Sequence, residues 1–290
     1  MNYLVVGGSS VSGQSIIKGI GELDSQGRIW STTSSDDRQV EGAHDTIGGI
    51  DLADADAVDK ILEAIRAAGP GDFAAVVYIP ARGQVGMPTS RATREMVSES
   101  VDYSIRPMLR LAQALKPKTT ICLSGFITME PMLECYGAMA YTKLIMEDMV
   151  VRYPEQLKTI RLGMFPSNSV RGIAILTQKN LMRNVYPENQ GMADEWRASG
   201  KKFSDFFYGK NWHYEETIYR DAADFKKPFR ATTADDIRLA VKQALNGEKA
   251  PIINVLGDWV WTEDKMPPLP QVVQDQPEFM KTDLDQYMKA

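Results

Sequence analysis

Short apolar runs alternate with longer segments of helical period along most of this chain. Strand-length runs occupy Tyr3–Val6, Arg28–Ser31, Ala74–Ile79, Thr119–Ser124, Leu157–Gly163 and Ile252–Leu256, and a weaker one lies near Thr46–Ile50. Between them, amphipathic segments of helix length cover Ser12–Gly21, Asp54–Ala68, Arg91–Leu115, Ala138–Tyr153 and Ala234–Asn246. This alternation predicts an α/β fold with a parallel sheet and helices on both faces. Thr233, followed by Asp235 and Asp236, supplies a capping hydroxyl and first-turn acids for the last of these helices. Pro107 interrupts the third and predicts a kink or a boundary there.

The segment 166–230 breaks the rhythm. It has no clean strand signal and collects Trp196, Phe203, Phe206, Phe207, Tyr208, Trp212, Tyr214, Tyr219, Phe225 and Phe229. These rings either form the core of an appended helical lobe or line an apolar pocket at a domain junction, and both can hold. The expected organisation is therefore an α/β core over 1–165, a helical, aromatic-rich lobe or lid over 166–230, a return to the core over 231–262, and an extended arm over 263–290. Pro267, Pro268, Pro270 and Pro277 account for the arm, which could wrap its own domain or a partner subunit.

Composition narrows the functional classes. With 33 basic and 38 acidic residues the net charge is −5, and no basic block occurs, so nucleic acid and anionic membranes are not expected partners. No stretch approaches the roughly 18 apolar residues of a membrane span. Strand-like residues from position 3 leave no room for a signal segment, which predicts a cytoplasmic location. Cys122 and Cys135 are expected as buried thiols, and His44 and His213, far apart, give no readable metal site.

Two segments carry a resemblance. The first strand ends in the turn Gly7-Gly8-Ser9-Ser10-Val11-Ser12-Gly13. Glycines at such a turn let backbone N–H groups and a helix N-terminus approach a pyrophosphate without obstruction by Cβ. The second segment is Tyr136-Gly137-Ala138-Met139-Ala140-Tyr141-Thr142-Lys143, which follows the apolar strand ending at Ser124. Together they resemble the short-chain dehydrogenase/reductase superfamily, which implies a Rossmann-like doubly wound sheet and a nicotinamide cofactor. Against that superfamily's turn, Thr-Gly-x-x-x-Gly-x-Gly, Gly7 and Gly13 are kept and Val11 replaces the middle glycine. A Cβ at Val11 either pushes the diphosphate outward or marks a different loop path.

The resemblance implies cofactor contacts along the sheet edge. Gly7, Ser9, Ser10, Val11 and Gly13 would serve the diphosphate, Asp51 and Leu52 the adenine, Pro80 and Ala81 the ribose, and Pro166 the nicotinamide. NAD binders place an acid at the end of the second strand. Here Thr33 and Ser34 stand there, with Arg38 soon after, and hydroxyls plus a guanidinium suit a 2′-phosphate. NADP(H) is therefore favoured over NAD(H), with Asp36 and Asp37 opposing that choice.

Commoner members of the superfamily carry a Tyr four residues before the Lys. In this chain that position is Met139, which cannot donate a proton. Tyr136, seven residues before Lys143, instead gives Tyr-x-x-Met-x-x-x-Lys. This resembles the signature of the divergent branch that contains enoyl-thioester reductases. Phe126, ten residues before Tyr136, falls where that branch has a second aromatic beside the substrate. Hydride addition to the β-carbon of an enoyl thioester develops charge on an oxygen several bonds away, so the stabilising donor must stand farther from the hydride carbon. Two helical turns would separate Tyr136 and Lys143 by about 10 Å along the axis on nearly one face.

The resemblance thus gives Lys143 the ribose hydroxyls, Tyr136 the developing oxyanion, and Phe126 and Met139 the substrate pocket. Ser124 either assists Tyr136 or caps a turn. Tyr141 is expected in the core, and Ser104 lies near the superfamily's helix-bending Asn. The glycine turn and the Asp235–Gly257 region look like longer or atypical members, a mixture that suggests a specialised enzyme of secondary metabolism. The expected function is NAD(P)H-dependent reduction of an activated C=C or C=O bond of an apolar substrate. The alternatives are a silent nucleotide-binding sensor, motivated by Val11 and Met139, or an epimerase or dehydratase with a tightly held nucleotide. By analogy, the helices over Arg91–Leu115 and Ala138–Tyr153 would pair two copies into a homo-oligomer.

Overall fold

Alternation along the first strand, β1 (Asn2–Val6), sets the architecture. Leu4 and Val6 enter one hydrophobic core while Tyr3 and Val5 enter another, so both faces of the strand are covered. The computed structural model describes residues 1–221 and 227–288. The remaining strands are β2 (Arg28–Thr32), β3 (Asp45–Ile47), β4 (Phe73–Tyr78), β5 (Thr119–Gly125), β6 (Leu157–Leu162), β7 (Ile252–Leu256) and β8 (Trp259–Glu263). They form one sheet in the order β3-β2-β1-β4-β5-β6-β7-β8. Every pairing is parallel except β7 with β8. The order reverses beside β1, where β1 lies between β2 and β4, and ligands of such sheets bind outside the strand ends at that switch point.

The helices of the sheet are α1 (Val11–Leu23), α2 (Ala57–Ala68), α3 (Arg94–Ser104) and α4 (Arg106–Leu115), then α5 (Glu130–Leu133) and α6 (Ala138–Arg152). The lobe supplies α7 (Asn168–Met182), α8 (Gln190–Ser199) and α9 (Phe203–Tyr219), and α10 (Ala234–Leu245) and α11 (Gln271–Gln274) follow. One core joins α2, α4 and α6 to the sheet, and the opposite core joins α1 and α10. A third lies between the lobe, the α5 region and β8 and holds Phe203 and Phe207. Most of the lobe rings thus form its core, while Phe225 lies outside the described residues. Among those residues no helix is long and apolar enough to cross a membrane.

The helix expected over Arg91–Leu115 is two helices that meet at Ile105, with Pro107 in the first turn of α4. A proline there loses no helical hydrogen bond. Ser104, at the break, donates to the Arg82 carbonyl and accepts from the Arg82 amide. The capping box expected at Thr233 and Asp236 is present. Both cysteines are buried and unpaired, and burial raises the Cys122 thiol to about 11.

One feature was not expected from the sequence, and the course of the arm, left open there, is visible. The 231–262 return includes an antiparallel edge strand, β8, reached through Gly257-Asp258, with Gly257 at φ +56°. The arm folds back on its own chain: Val273 and Leu284 are buried in the α2/α4/α6 core, and Tyr141 donates to the Val272 carbonyl at 3.0 Å. Arg106 pairs with Asp283, and Arg152 with Asp285. The arm therefore packs on the α4 and α6 region expected to pair two copies. In sedimentation velocity at micromolar concentration the full chain is expected to run as a monomer. A dimer whose α4 and α6 amides gain exchange protection on association would contradict this.

Candidate active site

Backbone geometry around β1 builds the first wall. Gly7 has φ +81°, a conformation that L side chains rarely adopt. A Cβ on Gly13 would lie 2.5 Å from Gly8 Cα and 2.6 Å from the Gly7 carbonyl oxygen, so α1 can start this close to the turn only with glycine there. Ser10 caps α1, accepting from the Gly13 amide at 3.0 Å and donating to the Gly7 carbonyl. Thr32 accepts from the Gly7 amide at 3.0 Å. The turn is thus fixed by its own hydroxyls, and Val11, the first residue of α1, projects an exposed side chain.

Two adjoining cavities open along the sheet edge. The outer groove, about 750 Å³, is lined by Gly7, Ser9, Ser10, Thr33 and Ser34 on one side and by Asp51, Leu52, Pro80 and Ala81 on the other. Tyr136 and Met139 also reach it. The inner cavity, about 430 Å³, is lined by Val11, Arg38, Ser124, Phe126, Tyr136 and Lys143. Ser9, Ser10, Ala81 and Tyr136 border both.

Most of the residues named from the sequence therefore converge, with particular departures. Gly13 shapes the turn but lines neither cavity, and Pro166 lies off the wall between Phe165 and Ser167, which are on it. Arg38 stands on the inner cavity beside Ser9–Ser12, apart from the Thr33–Ser34 hydroxyls of the groove. It has no partner among the described residues. Asn168, Ser169 and Ile173 of α7 border both cavities, and Arg82 and Tyr103 border the groove.

Tyr136 is not part of α6. The helix begins at Ala138, after Gly137 at φ +51° and ψ −133°. A Cβ at Gly137 would lie 2.4 Å from the Gln84 carbonyl oxygen, so glycine is required where the chain turns. The segment before α3 pins this entrance: Gly137 donates to the Met87 carbonyl and Ala138 to that of Gln84. The expected spacing of two helical turns between Tyr136 and Lys143 consequently does not apply, although both side chains border one cavity. The Tyr136 hydroxyl makes no hydrogen bond to the described residues. Burial, with the adjacent Cys135 thiol, raises it to about 12, so the phenol is a neutral donor at physiological pH.

Lys143 is buried, and its Nζ donates to the Leu123 carbonyl at 2.6 Å. Burial lowers this ammonium to about 8, against the opposing pull of Cys122 and Glu147. Ser124 donates to Glu147 Oε1 at 2.5 Å. That carboxylate is itself clasped by Arg161, at 2.7 and 3.2 Å. The Ser124 hydroxyl hydrogen is therefore committed to Glu147, and the oxygen offers only lone pairs to the cavity.

Phe126 is 3% exposed and packs on Tyr219 and Trp261, with ring centroids at 4.4 and 5.7 Å. Met139 accepts from Ser100 through its sulfur at 3.0 Å and supports the Arg82–Gln84 segment. Besides Asn168 and Ser169, the lobe brings the carboxyl group of Glu215 to the inner wall. The Glu215-Glu216 pair among aromatic residues gives no motif; the signal for Glu215 is the stripe it makes with Phe207 and Asn211 at helical spacing.

No protein-family model matches the chain, and no curated protein matches it. Among solved structures it is similar to an enoyl-(acyl-carrier-protein) reductase from Anaplasma phagocytophilum in complex with NAD. That match has 17% identity over 88% of this chain and 92% of that one, with a TM-score of 0.59. A short-chain dehydrogenase from Streptomyces avermitilis is similar at 15% identity over 89% of each chain, with a TM-score of 0.52. At these identities the likeness establishes a shared fold, the fold of short-chain dehydrogenases/reductases.

Proposed function

We infer that this chain is an NAD(P)H-dependent reductase of an activated C=C or C=O bond in an apolar substrate. The observation that carries this reading is the unbonded Tyr136 hydroxyl at the common border of the two cavities, with Lys143 on the inner wall. The enoyl reductase and the dehydrogenase that share the fold support it by analogy.

The groove fits a dinucleotide. A glycine turn and a run of hydroxyls on Ser9, Ser10, Thr33 and Ser34, with an unpaired Arg38 on the adjoining inner cavity, match the donors that diphosphate and ribose groups require. A nicotinamide cofactor held there would supply the hydride. Lys143, anchored by Leu123, can offer its other N–H donors to ribose hydroxyls. Tyr136 donates to the substrate oxygen on which negative charge develops. Its high pKa suits this role, since a neutral phenol keeps its proton until a stronger base forms. Phe126, Met129, Met132, Ile173 and Phe207 give the inner cavity apolar walls, which sets the substrate class.

NADP(H) is the favoured cofactor, from the neutral Thr33 and Ser34 hydroxyls at the end of β2 and the unpaired Arg38. Arg38 stands on the adjoining cavity beside Ser9–Ser12, from which it would have to reach the 2′-phosphate. Arg38→Ala is then expected to weaken NADPH binding by about ten- to a hundredfold and to leave NADH binding nearly unchanged. Titration of reduced-nicotinamide fluorescence measures both. Equal losses would place the guanidinium on the diphosphate and contradict the NADP(H) preference. Adding enones and enoyl thioesters to the same samples tests the reductase itself, since binding without consumption would contradict it.

A further inference from the structure

Helix α9 contributes one carboxyl group to the inner cavity. Phe207, Asn211 and Glu215, each four residues from the next, are all buried. Glu215 is 1% exposed, and its Oε1 accepts from the Met164 amide, just beyond β6. Trp212 donates its indole N–H to the Met164 carbonyl at 2.9 Å. Both polar atoms of the Met164 backbone are thus tied to the lobe. Glu215 Oε2 has no hydrogen-bond partner, and a Cβ on Gly163 would stand 3.3 Å from it.

Such an atom is costly to bury unless something bonds to it. Burial pushes the Glu215 acid up to about 8, against the opposing Met164 amide. The unpaired Arg38 on the same cavity makes no ion pair with Glu215, and the other charged groups nearby are engaged elsewhere. Glu130 bonds Tyr214, and Glu134 and Glu195 share Lys210. Arg161 of β6 pairs with Glu147 and Glu263, and Arg230 with Asp236. Arg171 and Lys179 of α7 make no ion pair with Glu215, and Lys143, on the same cavity, is bonded to Leu123. At neutral pH Glu215 therefore carries a proton, and with Oε1 occupied as an acceptor that proton belongs on Oε2.

We propose that the Glu215 carboxyl group donates a hydrogen bond from Oε2 to a carbonyl oxygen of a molecule bound in the inner cavity, and so selects ligands that carry such an oxygen. A ligand lacking it would leave the acid proton buried and unpaired, which is how sites reject analogues strongly. The identity of the occupant rests on the reductase reading, under which the oxygen belongs to the nicotinamide carboxamide or to the substrate. The donor itself does not rest on it.

Infrared difference spectra of the full chain test this, because the C=O stretch of the protonated Glu215 carboxyl disappears in Glu215→Gln. The band is expected to fade as pH rises past about 8. It is expected to move to lower frequency when NADP⁺, 2-cyclohexen-1-one or the N-acetylcysteamine thioester of trans-2-octenoic acid is added. Movement with NADP⁺ alone identifies the carboxamide, and movement only with the other probes identifies the substrate. Glu215→Gln keeps an N–H donor and should hold the KM for the probe within about twofold, whereas Glu215→Leu should raise it by about three- to tenfold. Reduced-nicotinamide fluorescence reports cofactor binding separately. Cofactor binding with an unmoved band for every ligand overturns the proposal and leaves the reductase reading intact. A moved band without cofactor binding upholds the donor and overturns the reductase reading. Absence of a Glu215 carboxyl band at neutral pH overturns the proposal outright.

Discussion

Replacing Tyr136 by Phe is expected to lower the turnover number by about 10²–10⁴ while leaving NADPH affinity nearly unchanged. The substitution removes one oxygen and keeps the ring. That ring sits at an entrance pinned by Gly137 and the Met87 and Gln84 carbonyls, contacts that involve backbone alone. The phenol makes no hydrogen bond to the described residues, so deleting it leaves no buried partner stranded. Loss of function without loss of fold is therefore the expected signature. Steady-state kinetics beside a thermal melt measure it. Full activity in the variant would remove Tyr136 from the chemistry, and a large drop in melting temperature would assign it a structural role instead.

Replacing Arg161 by Met is expected to destabilise the chain by about 3–5 kcal/mol, because one member of a buried ion pair is left without the other. Arg161 is 3% exposed and Glu147 1%. The guanidinium also donates to Asn254 at 2.9 Å and pairs with Glu263 at 2.7 Å. One side chain on β6 thereby links α6, β7 and β8. Glu147 lies one helical turn beyond Lys143, so the same pair fixes the helix that presents Lys143 to the inner cavity. Denaturant unfolding of the single variants and of Arg161→Met with Glu147→Met measures the coupling. The double variant should recover most of the loss, since apolar replacement of a whole buried pair is often close to neutral. Single and double losses that simply add would contradict the pairing account.

The sheet was legible because its strands are covered on both faces and read as continuous apolar runs. Alternate residues of β1 enter different cores, and both sets are apolar. The break at Pro107 was legible because a ring without an N–H fits the first turn of a helix and little else in one. The glycine turn also announced itself, since Gly7 and Gly13 stand where a Cβ or a negative φ fails.

Other features depend on tertiary placement. Gly137 removes Tyr136 from α6, and what demands glycine there is the Gln84 carbonyl, more than fifty residues earlier in the chain. Strand β8 carried a readable signal, the Gly257-Asp258 hairpin turn between apolar runs, but the prolines that follow it suggested an irregular tail. Ser124 was expected either to assist Tyr136 or to cap a turn, yet its hydrogen goes to Glu147, whose burial no local pattern reveals. Arg38 and Glu215 reach the inner cavity from different elements, and nothing in their neighbouring residues marks that destination.

The most direct test of the central claim is to incubate the chain with NADPH deuterated at nicotinamide C4, each face in turn, and an apolar enone or enoyl thioester. The product is then weighed by mass spectrometry. One face is expected to deliver a single deuterium to carbon in the product, at a rate that collapses in the Tyr136→Phe variant. Product without deuterium from either face, or no product while NADPH remains bound, would contradict hydride transfer at this site.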